Sequence, residues 1–103
     1  MAPKMLTQHD VLSFLKAHLE ELHQKFDIRQ VGLFGSFARN EQTLNSDIDV
    51  LIELGTPSHI YEKKTGFRRY LESQLGRPVD VVRVNHINKS VRNAILNDTL
   101  YVN

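Results

Sequence analysis

A chain of 103 residues, 41% hydrophobic and 24% charged, has room for one compact globular domain, residues 1–103, and can bury roughly two thirds of its unfolded surface. Thirteen Lys and Arg against twelve Asp and Glu leave a net charge of +1, which excludes a general electrostatic grip on nucleic acid. No cysteine is present, so disulfides, zinc-thiolate sites and thiol nucleophiles are excluded together.

No apolar run approaches the ~18 to 20 residues that span a bilayer, and the opening MAPKMLTQHD lacks the apolar stretch of a secretory signal. A soluble, cytoplasmic protein is the expectation.

From Thr7 to about Lys25, Val11, Leu12, Phe14, Leu15, Leu19, Leu22 and Phe26 recur at helical spacing, with Thr7 and Asp10 set as N-cap and N3. This predicts a first helix. Ile28 to Phe34 is β-branched and aromatic-rich and stops at Gly35, the pattern of a short strand. Ser36 to about Asn40 has room for one or two helical turns. Asp47 to Leu54 is the second strand, broken by Gly55-Thr56-Pro57-Ser58. Ile60, Lys64, Phe67, Tyr70, Leu71 and Leu75 suit a helix that Gly76-Arg77-Pro78 ends. Val79 to Val84 is a third strand, Asn88 to about Asn97 a last helix, and Leu100-Tyr101-Val102 a stub of strand.

That order predicts an α/β (α+β) layer structure: a small mixed sheet of three to four strands flanked by about four helices. A helix joins strands two and three, as parallel neighbours require, whereas the shorter link from strand one to strand two permits an antiparallel pair.

Side chains two apart on a strand share a face, so Asp47 and Asp49 project together while Ile48, Val50 and Ile52 take the other side. Two such carboxylates repel unless a cation lies between them, and Mg²⁺ prefers one or two carboxylates plus substrate phosphates. Antiparallel pairing brings the start of strand two beside the end of strand one, so Gly35 and Ser36 face the aspartates. Glycine permits close backbone approach, and the N–H groups and serine hydroxyl of a helix start suit a nucleotide phosphate. Arg39 is either a further phosphate contact or a surface charge. Asp80, among apolar neighbours on strand three, falls at the same end if that strand runs parallel to strand two. Two metal ions ~3.5 to 4 Å apart can then hold the attacking and leaving oxygens of a phosphoryl displacement, with Asp80 holding the second ion or taking the nucleophile's proton.

Gly35-Ser36, ten residues, Asp47-Ile48-Asp49, then Asp80 within LGRPVDVV resembles the signature of the DNA polymerase beta nucleotidyltransferase superfamily. The resemblance covers about Val31 to Val102. Within that superfamily the chain is similar to the minimal nucleotidyltransferases, the antitoxin partners of HEPN-domain toxins. Asn40 departs from the glycine that often follows Ala-Arg there, and asparagine tolerates the left-handed conformation nearly as well.

The resemblance implies a polymerase-beta-like nucleotidyltransferase fold. It further implies Mg²⁺-dependent transfer of AMP from ATP to a hydroxyl, with Asp47, Asp49 and Asp80 as catalytic and metal residues and Gly35, Ser36 and Arg39 as nucleotide contacts. The acceptor would be a tyrosine of a HEPN ribonuclease toxin encoded nearby. Two alternatives stand beside it: an antitoxin that neutralises by binding alone, and a transferase acting on a small molecule such as an antibiotic.

Lys63, Lys64, Arg68 and Arg69 gather positive charge on the helix after strand two, either as a solvated face or to meet a triphosphate or an acidic partner. His9, His18, His23, His59 and His86 show no ligand spacing.

Overall fold

The computed structural model describes residues 5–102; residues 1–4, part of the opening segment without a signal-like stretch, lie outside the described residues, as does 103. The elements are α1 (Gln8–Ala17), α2 (Leu19–Phe26), β1 (Ile28–Phe34), α3 (Gly35–Ala38), β2 (Ile48–Leu54), α4 (Ile60–Leu75), β3 (Val79–Arg83), a 3₁₀ turn (Val84–His86), α5 (Lys89–Asp98) and β4 (Leu100–Tyr101). The four strands form one sheet in the order β3-β2-β1-β4. β1 is antiparallel to β2 and to β4, and β2 is parallel to β3, with α4 as the crossover.

The expected first helix is two helices. The Thr7 hydroxyl accepts from the Asp10 N–H at 3.1 Å and the Asp10 carboxylate accepts from the Thr7 N–H at 3.0 Å, so α1 begins with a reciprocal cap. It ends at His18, whose φ of −113° and ψ of 13° leave the helical region. There the His18 ring stacks on Phe14 with centroids 4.1 Å apart, and its Nδ1 lies 2.8 Å from the Phe14 carbonyl oxygen. A side chain competing for that carbonyl offers the backbone an alternative to the helical ladder. The spacing Val11, Leu15, Leu22 stays in phase across the break, which is why periodicity alone reads a single helix.

Those three residues meet Val31 and Leu33 of β1, Ile48, Val50 and Ile52 of β2, Phe37 of α3, Phe67 and Leu71 of α4, and Val79 and Val81 of β3 in one hydrophobic core. At ~1.5 to 3 kcal/mol for each fully buried large apolar side chain, this cluster is the main stabilising term. β4 closes the far edge: Gly32 pairs with Tyr101, and a Cβ on Gly32 would come within 2.5 Å of Thr99 Cγ2, so the C-terminal segment can lie close only against glycine.

The two ends of the sheet are finished differently. At the end where β1 begins and β2 stops, Asp27 takes a left-handed φ of 56°. Its Oδ2 accepts from Lys63 Nζ at 2.6 Å, the Thr56 N–H at 2.8 Å and the Thr56 hydroxyl at 2.9 Å, while its carbonyl accepts from the Gly55 N–H at 2.9 Å. The Lys63 ammonium, followed by the two Thr56 donors, lowers the Asp27 carboxyl to about 2. This knot joins the α2–β1 and β2–α4 turns. The opposite end carries the aspartates.

Candidate active site

Strand register brings the expected carboxylates together. Phe34, the last residue of β1, pairs with Asp49, and Asp49 pairs with Asp80 of β3. Phe34, Asp49 and Asp80 therefore run in a row across three adjacent strands, with Gly35 at the turn directly after Phe34. Asp47 stands just outside β2, which begins at Ile48 rather than at Asp47, and is exposed, as is Asp80; Asp49 is half-buried. Ile48, Val50 and Ile52 are buried in the core, so the alternation that separates them from Asp49 holds.

Gly35 is indispensable to this geometry. Its φ of 74° lies where L side chains are rarely found, and a Cβ there would run into the Asp49 carboxylate. The strand thus turns directly into α3 with the carboxylate of Asp49 against its backbone. Ser36 occupies the first turn of α3, where helical N–H groups have no partner four residues back.

Burial raises the Asp49 carboxyl from the ordinary 3.8 to about 6, and the charges of Asp80 and then Asp47 push in the same direction. The Arg39 guanidinium partly offsets them. Arg39 is not a bare cation, however: its Nε donates to Glu41 at 3.1 Å and its Nη1 to Asp98 of α5 at 2.8 Å.

The donor set fits a hard divalent cation on its chemistry, since it is carboxylate only and its central member is held in a repulsive field. Among the described residues, no three His, Asp or Glu side chains converge to hold one ion. The site is an open row of carboxylates, suited to a cation that takes one or two of them and completes its shell with phosphate oxygens.

One positioning residue escapes the motif reading. Arg77, in the Gly-Arg-Pro turn that ends α4, donates to the carbonyls of Ser46 at 2.7 Å and Thr43 at 3.2 Å, and its guanidinium lies 5.7 Å from the Phe37 ring centroid. It anchors the loop that delivers Asp47 and Asp49 onto the α3 core residue. The triplet signals a helix stop; nothing in its local sequence signals a contact with residues more than 30 positions earlier.

The basic group on α4 divides. Lys63 belongs to the Asp27 knot at the far end, whereas Lys64 and Arg68 line a cleft of about 390 Å³ with Tyr61, Thr65, Val79 and Asp80.

The model of the nucleotidyltransferase domain family matches residues 15–102. A protein adenylyltransferase MntA of Thermococcus cleftensis is 35% identical over 99 residues, 95% of this chain and 98% of that protein. A solved structure described as a candidate minimal nucleotidyltransferase is similar in fold, with a TM-score of 0.78 at 22% identity over 95% of this chain and 98% of the other. A toxin-antitoxin complex with AMP-PNP superposes with a TM-score of 0.66 at 21% identity, over 84% of this chain and 71% of the other. A complex of tri-AMPylated Shewanella oneidensis HEPN toxin with MNT antitoxin does so at 0.60 and 17%, over 88% and 71%. The sheet of four strands with five α-helices, one more than expected, is the minimal nucleotidyltransferase architecture. The chain belongs to the nucleotidyltransferase domain family and is a nucleotidyltransferase.

Proposed function

We propose that this chain transfers AMP from ATP, with Mg²⁺, to a tyrosine hydroxyl of a HEPN-type toxin and so acts as that toxin's antitoxin. The observation that carries the reading is Asp49 set in register with Asp80 on one side and against the Gly35 turn on the other, supported by 35% identity over nearly the full length of a protein adenylyltransferase.

In this reading Gly35 and Ser36 hold the triphosphate at the start of α3, where the glycine lets phosphate oxygens approach the backbone. Asp47 and Asp49 would hold one Mg²⁺, and Asp80 would hold a second or receive the proton of the entering hydroxyl. Bound magnesium would neutralise the charge that builds on the phosphate oxygens during the displacement. The hydroxyl oxygen bonds to the α-phosphorus, the bond to the β-phosphate oxygen breaks, and pyrophosphate leaves with the electron pair. A cation beside Asp49 would favour its ionised form, which burial and two like charges disfavour.

Arg39 contributes a fixed charge beside Asp49 while staying tied to Asp98. In this reading the acceptor brings its own binding surface.

The test is to incubate the chain with α-phosphate-labelled ATP, Mg²⁺ and the HEPN partner encoded beside it. Label on the partner that disappears with a chelator supports the reading; an unlabelled partner in the presence of bound ATP overturns it. Asp80→Asn is expected to suppress transfer, and unchanged transfer in that variant would leave the nucleotide site and remove the role given to Asp80. Neutralisation of the toxin by the doubly substituted Asp47→Asn, Asp49→Asn protein would point to binding alone.

A further inference from the structure

We infer that Asp98 is a positioning residue of this site: it holds Arg39 with one guanidinium edge free for the phosphates of the nucleotide, and β4 keeps Asp98 in place for that task. The inference rests on the adenylyl-transfer reading and adds to it the residue that aims Arg39.

Arg39 follows the Gly35–Ser36 turn directly. Its N–H donates to the Gly35 carbonyl at 3.1 Å, and its charge reaches the half-buried Asp49. A ligand that has to fix a loose arginine loses affinity to the lost rotamer freedom, whereas one that meets an arginine already held does not. Two carboxylates hold it here. Nε donates to Glu41 at 3.1 Å and Nη1 to Asp98 at 2.8 Å, which leaves Nη2 without a partner among the described residues. A planar guanidinium fixed along one edge keeps the other for a phosphate oxygen.

The two carboxylates are anchored differently. Glu41 lies two residues from Arg39, and its N–H donates to the Ser36 carbonyl at 2.8 Å, so it belongs to the same turn. Asp98 ends α5, no residue of which is buried, so packing of that helix does not fix it. The strand that follows does. Leu100 pairs with Leu33 and Tyr101 with Gly32, and the Val102 N–H donates to the Val31 carbonyl at 3.2 Å. Thr99, between Asp98 and the strand, donates its hydroxyl to the Ile95 carbonyl at 2.6 Å, and its Cγ2 would lie 2.5 Å from a Cβ on Gly32. β1 thus ends in the phosphate turn and, through β4, anchors the carboxylate that aims Arg39. With 46% of the Arg39 and 35% of the Asp98 side chain open to water, the pair adds little to stability. Its consequence is where Arg39 points.

Binding of AMP-PNP with Mg²⁺, measured calorimetrically on the unaltered chain, Asp98→Ala, Arg39→Ala and the double variant, tests this as a cycle. Arg39→Ala is expected to weaken binding by about tenfold and Asp98→Ala by about threefold, the scale of a charge-assisted hydrogen bond lost or misdirected. The double variant should bind no more weakly than Arg39→Ala alone, because Asp98 acts only through Arg39. Asp98→Glu should recover affinity where Asp98→Asn does not, with the midpoint of thermal unfolding nearly constant across the set. In transfer assays Asp98→Ala should raise the KM for ATP and leave the KM for the acceptor unchanged. Unchanged AMP-PNP affinity in Asp98→Ala, or losses that add in the double variant, would overturn the assignment. Absence of AMP-PNP binding by the unaltered chain would overturn both it and the adenylyl-transfer reading, whereas a coupled cycle in a chain that labels no partner would remove the transfer reading and support Asp98 as a nucleotide-positioning residue.

Discussion

Asp27 and Asp49 sit at opposite ends of the same antiparallel strand pair and have opposite electrostatics. Asp27 accepts three hydrogen bonds through one oxygen and is lowered to about 2; Asp49 faces Asp80 and Asp47 and is raised to about 6. The first end is satisfied by the chain's own donors. The second sets like charges against one another, an arrangement that clusters at functional sites. The contrast fits the proposed site at one end of the sheet and a stabilising contact at the other.

Substitution at Gly35 should break the contrast most severely. Gly35→Ala forces a Cβ into the Asp49 carboxylate and holds alanine at a positive φ, a conformation that costs about 1 to 2 kcal/mol by itself. AMP transfer is expected to fall by two orders of magnitude or more, since small misplacements of reacting groups cost on the order of 10²-fold, and the midpoint of thermal unfolding should also drop. Label transfer and a melting curve measure both. Asp27→Ala, in comparison, should leave transfer intact in the folded protein.

Arg77→Ala sharpens the picture of how the chemical end is held. Without the two carbonyl contacts the loop carrying Ser46 and Asp47 is released, so transfer should fall by about tenfold for a tethered loop while the core persists. A steady-state assay alongside circular dichroism separates the two effects.

The pH dependence of stability carries the contrast directly. Asp27 is lowered, so its contribution is fully present above the ordinary value of 3.8 and is lost as pH falls toward about 2. Asp49 is raised, so the folded chain holds that proton more tightly than the unfolded one, and stability declines as pH rises from about 4 through about 6. Chemical denaturation of Asp49→Asn should lack that decline and make the variant the more stable protein at pH 7 in the absence of metal. The smallest effect belongs to Asp27→Ala, whose Lys63 and Thr56 donors sit near water: a lower unfolding midpoint above pH 4, converging on the unaltered protein near pH 2.

The carboxylate end was the more legible of the two in the sequence. Gly35-Ser36, Asp47-Ile48-Asp49 and Asp80 can be read because strand periodicity assigns faces and strand order assigns ends, and the register of Phe34 with Asp49 and of Asp49 with Asp80 bears out that they meet. The Asp27 knot could not be read, because Asp27, Thr56 and Lys63 are separated by loops and only the tertiary turn brings them together. Lys63 looked like one of four similar cations on α4, yet it turns to Asp27 while Lys64, the next residue, lines the cleft beside β3. Arg39 gives no local sign of Asp98, 59 positions away. The break at His18 was hidden for a different reason: a helix can be interrupted by one side chain without disturbing the apolar phase on either side.

The most direct measurement is label transfer from α-phosphate-labelled ATP to the proposed HEPN partner by the unaltered chain, Asp27→Ala and Asp49→Asn, side by side under conditions where all three are folded. The account predicts labelled partner with the first two proteins and a loss on the order of 10³-fold with the third, the scale of several kcal/mol of lost charge stabilisation. Transfer by Asp49→Asn at the rate of the unaltered chain would contradict it.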